Sequence, residues 1–168
     1  MTSSRPDHDF LDPDEWESWG ALMLLHRSVL QELDGQLRRR NGLAVTEFDV
    51  LITLFNAPDR RLRMSELAER VLLSPAGTTH LVTRLERDGL VRREVDPVDG
   101  RKWFTVLTED GDSALKAARP THNNVLRGTL LAATSPADRR TLRRIWKRLS
   151  APAPNSSGAD AGHPGASS

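Results

Sequence analysis

The stretch Ser74-Pro-Ala-Gly-Thr-Thr-His-Leu-Val-Thr-Arg-Leu-Glu-Arg-Asp88, followed by Gly89, reads as one helix with its punctuation attached. Ser74 offers a hydroxyl to the first free N–H groups, Pro75 suits the first helical position, where its missing N–H goes unused, and Gly89 is a left-handed stop. Leu81, Val82 and Leu85 share one face, which leaves Ala76, Thr79, His80, Thr83, Arg84 and Arg87 on the other. That outer face is small near its N-terminus and hydrogen-bonding further along. Gly77 and Thr78 are poor helix formers, so propensity is given up where close approach is gained. Such a surface fits a DNA major groove about 12 Å wide, where small residues admit the backbone and Thr, His and Arg meet base edges or phosphates. The plainer reading is a solvated amphipathic helix, and the flanking elements decide between the two.

Upstream, Met64, Leu67, Ala68, Val71 and Leu72 recur at helical spacing, and a short turn separates them from Ser74. Downstream, Leu90 to Val95 and Lys102 to Leu107 flank a turn at Asp96-Pro97-Val98-Asp99-Gly100, the pattern of a β-hairpin. Two short helices joined by a tight turn and followed by a hairpin make a winged helix-turn-helix. The hairpin tip, Asp99-Gly100-Arg101-Lys102, presents an Arg of the kind a narrow minor groove attracts, and Asp99 is placed to orient its guanidinium.

Longer helices bracket this unit. Asp12-Pro13 with Glu15 starts one that runs to Arg38-Arg39-Arg40-Asn41-Gly42, about 29 residues or roughly 44 Å. Along it Trp16, Trp19, Met23, His26, Leu30, Leu33 and Leu37 form an apolar seam with no partner of matching length nearby, which implies a second subunit. Thr46 with Asp49 is read as the cap of a helix through Phe55. Thr108-Glu109-Asp110 opens another that runs to about Leu131 with a kink expected at Pro120, and Ser135-Pro136 with Asp138 opens the last, striped by Leu142, Ile145, Trp146 and Leu149. The expected fold is mainly α: a winged helix-turn-helix with a two-stranded β-hairpin wing and an N-/C-terminal helical dimerisation region. Residues 43–107 form the DNA-binding lobe, 12–42 and 108–150 the dimerisation region, and 1–11 and 151–168 tails too polar to order themselves.

Composition narrows the function classes. With no cysteine among 168 residues there is no disulfide, thiolate nucleophile or cysteine-bound zinc, and the five histidines show no metal-ligand spacing. No P-loop, nucleophile elbow or dinucleotide fingerprint is present, so neither an enzyme nor a cofactor is expected. No stretch approaches the roughly 18 apolar residues of a membrane span, and a cytoplasmic protein is expected. Net charge is only +1, but residues 1–20 carry −5 and residues 119–150 carry +7, so the two ends can attract each other across subunits.

Together, Arg63-Met-Ser-Glu-Leu-Ala68, Ser74 to Arg87, Gly89-Leu-Val-Arg-Arg93, and Asp99-Gly-Arg101 with Leu107-Thr-Glu-Asp-Gly111 resemble the MarR (multiple antibiotic resistance regulator) transcription factors. The resemblance runs from about Pro13 to Ser150. It implies a homodimer that binds palindromic double-stranded DNA, typically as a repressor, and releases it when a small aromatic or phenolic ligand binds. It also implies recognition roles for Thr78, Thr79, His80, Thr83 and Arg84 and a minor-groove role for Arg101, with Ser74, Arg87 and Lys102 completing the candidate DNA contacts. His80 stands where many relatives carry Arg, and Gly100 where a second Arg is frequent. For an effector, Trp19, Met23, His26 and His122 are the candidates; His26 is equally readable as a packed, hydrogen-bonded histidine. For the dimer interface the candidates are Trp16, Trp19, Leu142, Ile145, Trp146 and Leu149. A winged helix that binds protein instead of DNA is the rival, since residues 74–102 hold six bases against five acids.

Overall fold

The computed structural model describes residues 10–71 and 73–151. The tails expected at the two ends fall almost wholly outside them, as does Leu72. Two units are described separately, one up to residue 132 and one from residue 133 onward.

In the first unit, α1 (Pro13–Asn41) begins with the capping box read from the sequence. Asp12 accepts from the Glu15 N–H at 2.9 Å, and Glu15 accepts from the Asp12 N–H at 2.9 Å. It ends on Gly42 at φ +68°, a backbone region that costs a residue with a Cβ. Next come α2 (Val45–Phe55), β1 (Arg61–Arg63), α3 (Met64–Arg70), α4 (Pro75–Arg87), β2 (Val91–Val95), β3 (Trp103–Leu107) and α5 (Glu109–Gly128). Gly89, at φ +76°, turns the chain from α4 into β2.

Four local expectations are corrected. The cap of α2 is not Thr46 with Asp49: the N-cap is Ala44, and Glu47 returns its carboxylate to the Ala44 N–H at 2.6 Å. Asp34 of α1 accepts the Val45 N–H at 2.9 Å, so the first N–H of the helix is satisfied from another element. The hairpin gains a third strand, with β1 pairing antiparallel to β3 (Arg61 opposite Val106, Arg63 opposite Phe104) in the order β1-β3-β2. Three residues are too short to show alternation. Helix α3 stops at Arg70 with Val71 extended, and α5 stops at Gly128, three residues before Leu131.

The core lies where α1, α2, α3, α4 and α5 meet, around Leu37, Leu51, Leu54, Leu67, Leu85 and Leu115, all fully buried. The seam of α1 divides. Leu33 and Leu37 are buried, whereas Trp16, Trp19 and Met23 are exposed. In the second unit, α6 (Pro136–Leu149) begins on the predicted Ser135–Asp138 capping box, and its stripe of Leu142, Ile145, Trp146 and Leu149 is exposed.

Candidate nucleic-acid interface

Helix α4 is built as its sequence dictates. The Ser74 hydroxyl accepts the Gly77 N–H at 3.2 Å, and Leu81, Val82 and Leu85 are buried. Thr79, His80, Thr83, Arg84 and Arg87 are exposed, as is Ser74 at the helix start. Thr78 is the correction. It is fully buried, and its hydroxyl donates to the Ser74 carbonyl at 3.0 Å, because it falls on the Leu81–Leu85 face one turn earlier. Thr78 therefore stabilises the first turn from inside and is not on the outer face.

Two side chains brace α4 along its edges. On the wing side, Arg93 of β2 pairs with Glu86 at 3.2 Å and donates to the Thr83 hydroxyl at 2.8 Å. On the α2 side, Glu47 pairs with Arg84 at 2.9 Å. The sequence gives neither residue this role: Glu47 is one charged residue among many, and Arg93 enters only as the end of the Gly89-Leu-Val-Arg-Arg93 stretch. The signal for Glu47 was its place three residues after Ala44, the reciprocal position of a capping box.

The wing is fixed from below. Asp96 is almost completely buried, with a side chain 1% exposed. Its Oδ2 accepts from Arg63 Nε at 3.0 Å and from Arg63 Nη2 at 2.6 Å, while its Oδ1 accepts the Val98 N–H at 2.9 Å. The Val98 N–H, followed by the Arg63 guanidinium, holds its carboxyl below the ordinary value. Above it, Asp99 accepts from Lys102 Nζ at 3.1 Å and from the Arg101 N–H at 3.2 Å. The Lys102 contact is the largest cause keeping the Asp99 carboxyl low. The Arg101 guanidinium touches Asp99 through Nε alone, at 3.4 Å, and the side chain is 93% exposed. The pairing expected of Asp99 is thus divided between Arg101 and Lys102. All five acids between residues 74 and 102 meet a cation of the lobe: Glu86 with Arg93, Asp88 with Arg87, Glu94 with Arg92, Asp96 with Arg63 and Asp99 with Lys102.

Of the four effector candidates, His122 lines a cavity between α1, α2 and α5. It stacks on Phe48 at 4.5 Å between ring centroids, beside a space of about 380 Å³ enclosed by α1, α2 and α5 through Leu30, Leu33, Phe48, Ile52 and Arg119. Trp19, Met23 and His26 lie elsewhere on α1 and are exposed; the cavity opens beside Leu30 and Leu33, one to two turns beyond His26. No cluster of metal ligands occurs among the described residues, and no described helix is long and apolar enough to cross a membrane.

A three-stranded sheet with α4 seated against it, preceded by α3 across a short turn, defines a winged helix-turn-helix protein. Residues 41–102 match the model of the MarR family. Among solved structures, the chain is similar to Sco3205, a MarR family transcriptional regulator from Streptomyces coelicolor in complex with DNA. The two are 30% identical with a TM-score of 0.79, over 86% of this chain and 91% of that one. It is also similar to AbsC, a MarR family regulator from the same organism, at 29% identity and a TM-score of 0.77 over 83% and 94%. The HTH-type transcriptional repressor YetL of Bacillus subtilis is 40% identical over 81 residues, 48% of each chain. The chain spans about half the length of the curated relatives it matches. It belongs to the MarR family. These relatives are transcriptional regulators, a class without enzymatic activity.

Proposed function

We propose that the chain is a homodimeric, sequence-specific DNA-binding regulator of transcription, acting in the cytoplasm as a repressor released by a small aromatic or phenolic effector. The observation that carries this reading is the exposed face of α4, with Thr79, His80, Thr83 and Arg87 braced at both edges beside a wing that holds Arg101 out to solvent. Small hydrogen-bonding side chains on a rigid helix read base edges in the major groove; a projecting guanidinium suits the adjacent minor groove. Because the acids of residues 74–102 are each paired within the lobe, α4 and the wing do not present a bare negative surface to phosphates.

The exposed stripes, Trp16 and Trp19 on α1 and, separately, Leu142, Ile145, Trp146 and Leu149 on α6, are each apolar surface for a second copy to cover. Residues 12–42 and 108–150 then serve as the dimerisation region, and residues 43–107 as the DNA-binding lobe. Two-fold symmetry leads to a pseudo-palindromic operator with half-sites about 10 bp apart. The cavity beside His122 and Arg119 is lined by Leu30, Leu33, Val45, Phe48 and Ile52, with Thr46, Asp49 and Asn123 as further polar groups, a mixture that suits a phenol or an aromatic acid whose polar end meets Arg119. A coupling of about 1–3 kcal/mol between that cavity and DNA changes affinity some 5- to 150-fold.

The test is a salt titration of binding to the DNA upstream of the protein's own gene against a scrambled duplex of equal length. Preference for the native duplex with a steep salt slope supports the reading, and Arg101→Ala should lower that slope by about one. Weak, equal binding to both overturns it in favour of a protein-binding winged helix.

A further inference from the structure

Arg84 stands at the margin of the groove-facing surface. At about 100° per residue, Thr78, Leu81, Val82 and Leu85 define the buried face of α4, and His80, Thr83 and Arg87 lie opposite. Arg84 falls on the edge toward α2, and Thr79 and Glu86 on the edge toward the wing. From that edge a free arginine side chain could lie along α2, trail in solvent or reach for a base.

Glu47 narrows these choices. Its side chain is 11% exposed, and both carboxylate oxygens are engaged: Oε2 with the Ala44 N–H at 2.6 Å, and Oε1 with Arg84 Nη2 at 2.9 Å. It rides on the first turn of α2, which Phe48, Val50, Leu51 and Leu54 anchor in the core, so the carboxylate is a fixed point and the half-exposed guanidinium is the movable partner. The ion pair uses one guanidinium nitrogen. A charge-assisted contact from a buried carboxylate orients a guanidinium more firmly than an exposed pair does.

We infer that Glu47 is a positioning residue that sets how Arg84 meets DNA, so that sequence discrimination depends on a side chain that never touches a base. This rests on the DNA-binding reading above and adds to it the residue that tunes specificity. The same turn of α2 lines the cavity through Val45, Thr46 and Phe48, so whatever occupies the cavity bears on the segment that carries Glu47.

The experiment is a double-mutant cycle with the full chain. The wild-type protein selects its preferred duplex from a random pool, and affinities for that duplex and for a scrambled one are then measured for wild type, Glu47→Gln, Arg84→Ala and the double variant at one salt concentration. The glutamine keeps an oxygen for the Ala44 N–H, and urea midpoints check folding; if Glu47→Gln does not fold, Glu47→Asp, which withdraws the charge from Arg84, replaces it in the cycle. Arg84→Ala should lower the specific-to-scrambled ratio about 5- to 150-fold, the worth of one good base contact. Glu47→Gln should lower it by a part of that, about 3- to 10-fold, with scrambled-duplex affinity unchanged or tighter, and should have no further effect in the Arg84→Ala background. A merely structural Glu47 would weaken binding to both duplexes together. Equal loss on both duplexes, an unchanged ratio, or losses that multiply with those of Arg84→Ala would overturn the inference alone. A wild-type protein that enriches no sequence overturns the DNA-binding reading, and this inference with it.

Discussion

Replacing Gly111 by alanine should loosen the joint at which α5 leaves the winged lobe. Gly111 lies in the first turn of α5, where a methyl group built on its backbone would sit 2.0 Å from the Leu90 carbonyl oxygen and 2.8 Å from Leu107 Cδ1. The carbonyl is not free to retreat. It accepts the Thr108 N–H at 3.2 Å and, at 2.9 Å, a share of the Thr108 hydroxyl proton, which the Gly89 carbonyl takes at 2.7 Å, and the Leu90 N–H is itself held by the Leu85 carbonyl at 2.9 Å. Restoring an ordinary carbon–oxygen contact needs a separation of about 1 Å, which stretches both bonds to Thr108. Overpacking of this kind costs about 1–3 kcal/mol. Weakening two hydrogen bonds adds about 1–2 kcal/mol, for roughly 2–5 kcal/mol in all, a large part of the typical 5–15 kcal/mol of a folded domain. In urea, at fixed protein concentration, the midpoint should fall by about 1–2 M. Gly100→Ala is the control, since no atom lies within 4 Å of the added methyl and the position is exposed on the wing. A Gly111→Ala midpoint indistinguishable from that of Gly100→Ala would refute the close-contact argument.

Three further outcomes follow from the same geometry. Because the folded-state pKa of Asp96 lies below its ordinary 3.8, its contribution to stability is fully present above that value and is lost as pH falls through the lower, folded value; Asp96→Asn should remove this acid-dependent component, and identical pH dependence of the urea midpoint in variant and wild type between pH 2 and 6 would contradict it. Thr78→Val should cost about 0.5–1.5 kcal/mol in urea stability by deleting the bond to the Ser74 carbonyl, while the specific-to-scrambled binding ratio stays constant; a fall in that ratio without loss of stability would return Thr78 to the DNA face. Trp146→Ala should raise the dimer dissociation constant at least about 10-fold, since burying a large apolar side chain contributes about 1.5–3 kcal/mol, and sedimentation equilibrium that matches wild type would remove α6 from the interface.

The parts legible in the sequence share one physical property: each is specified within a turn or two of chain. Asp12-Pro13 with Glu15, Ser74-Pro75 and Ser135-Pro136 with Asp138 mark helix starts because a side chain and the N–H it satisfies are three residues apart. Where the partner comes from another element, local reading misassigns the role. The Val45 N–H is satisfied by Asp34 of α1, and the helix starts from Ala44, two residues before the cap that the order Thr46, Asp49 suggests. Strand β1 is invisible for a related reason, since Arg61, Leu62 and Arg63 become a strand only by pairing with Val106, Thr105 and Phe104 more than forty residues away.

The same distinction runs through the site. The outward residues of α4 follow from helical periodicity, and only Thr78, carried over from resemblance instead of from the helical face, is misplaced. What periodicity does not give is what orders the side chains along the edges of α4. Its wing-side edge depends on Arg93 of β2 and its opposite edge on Glu47 of α2, and each contact joins elements that meet only after the chain has folded. A reading helix needs such braces because the discrimination of a base contact is lost once the side chain that makes it can swing to an alternative at little cost. The wing obeys the same rule: buried Asp96 gathers the Val98 N–H and the Arg63 guanidinium so that Arg101, at the tip, has a fixed base from which to project. Carboxylates that a count of charges would set against DNA binding are, in this lobe, what points its cations.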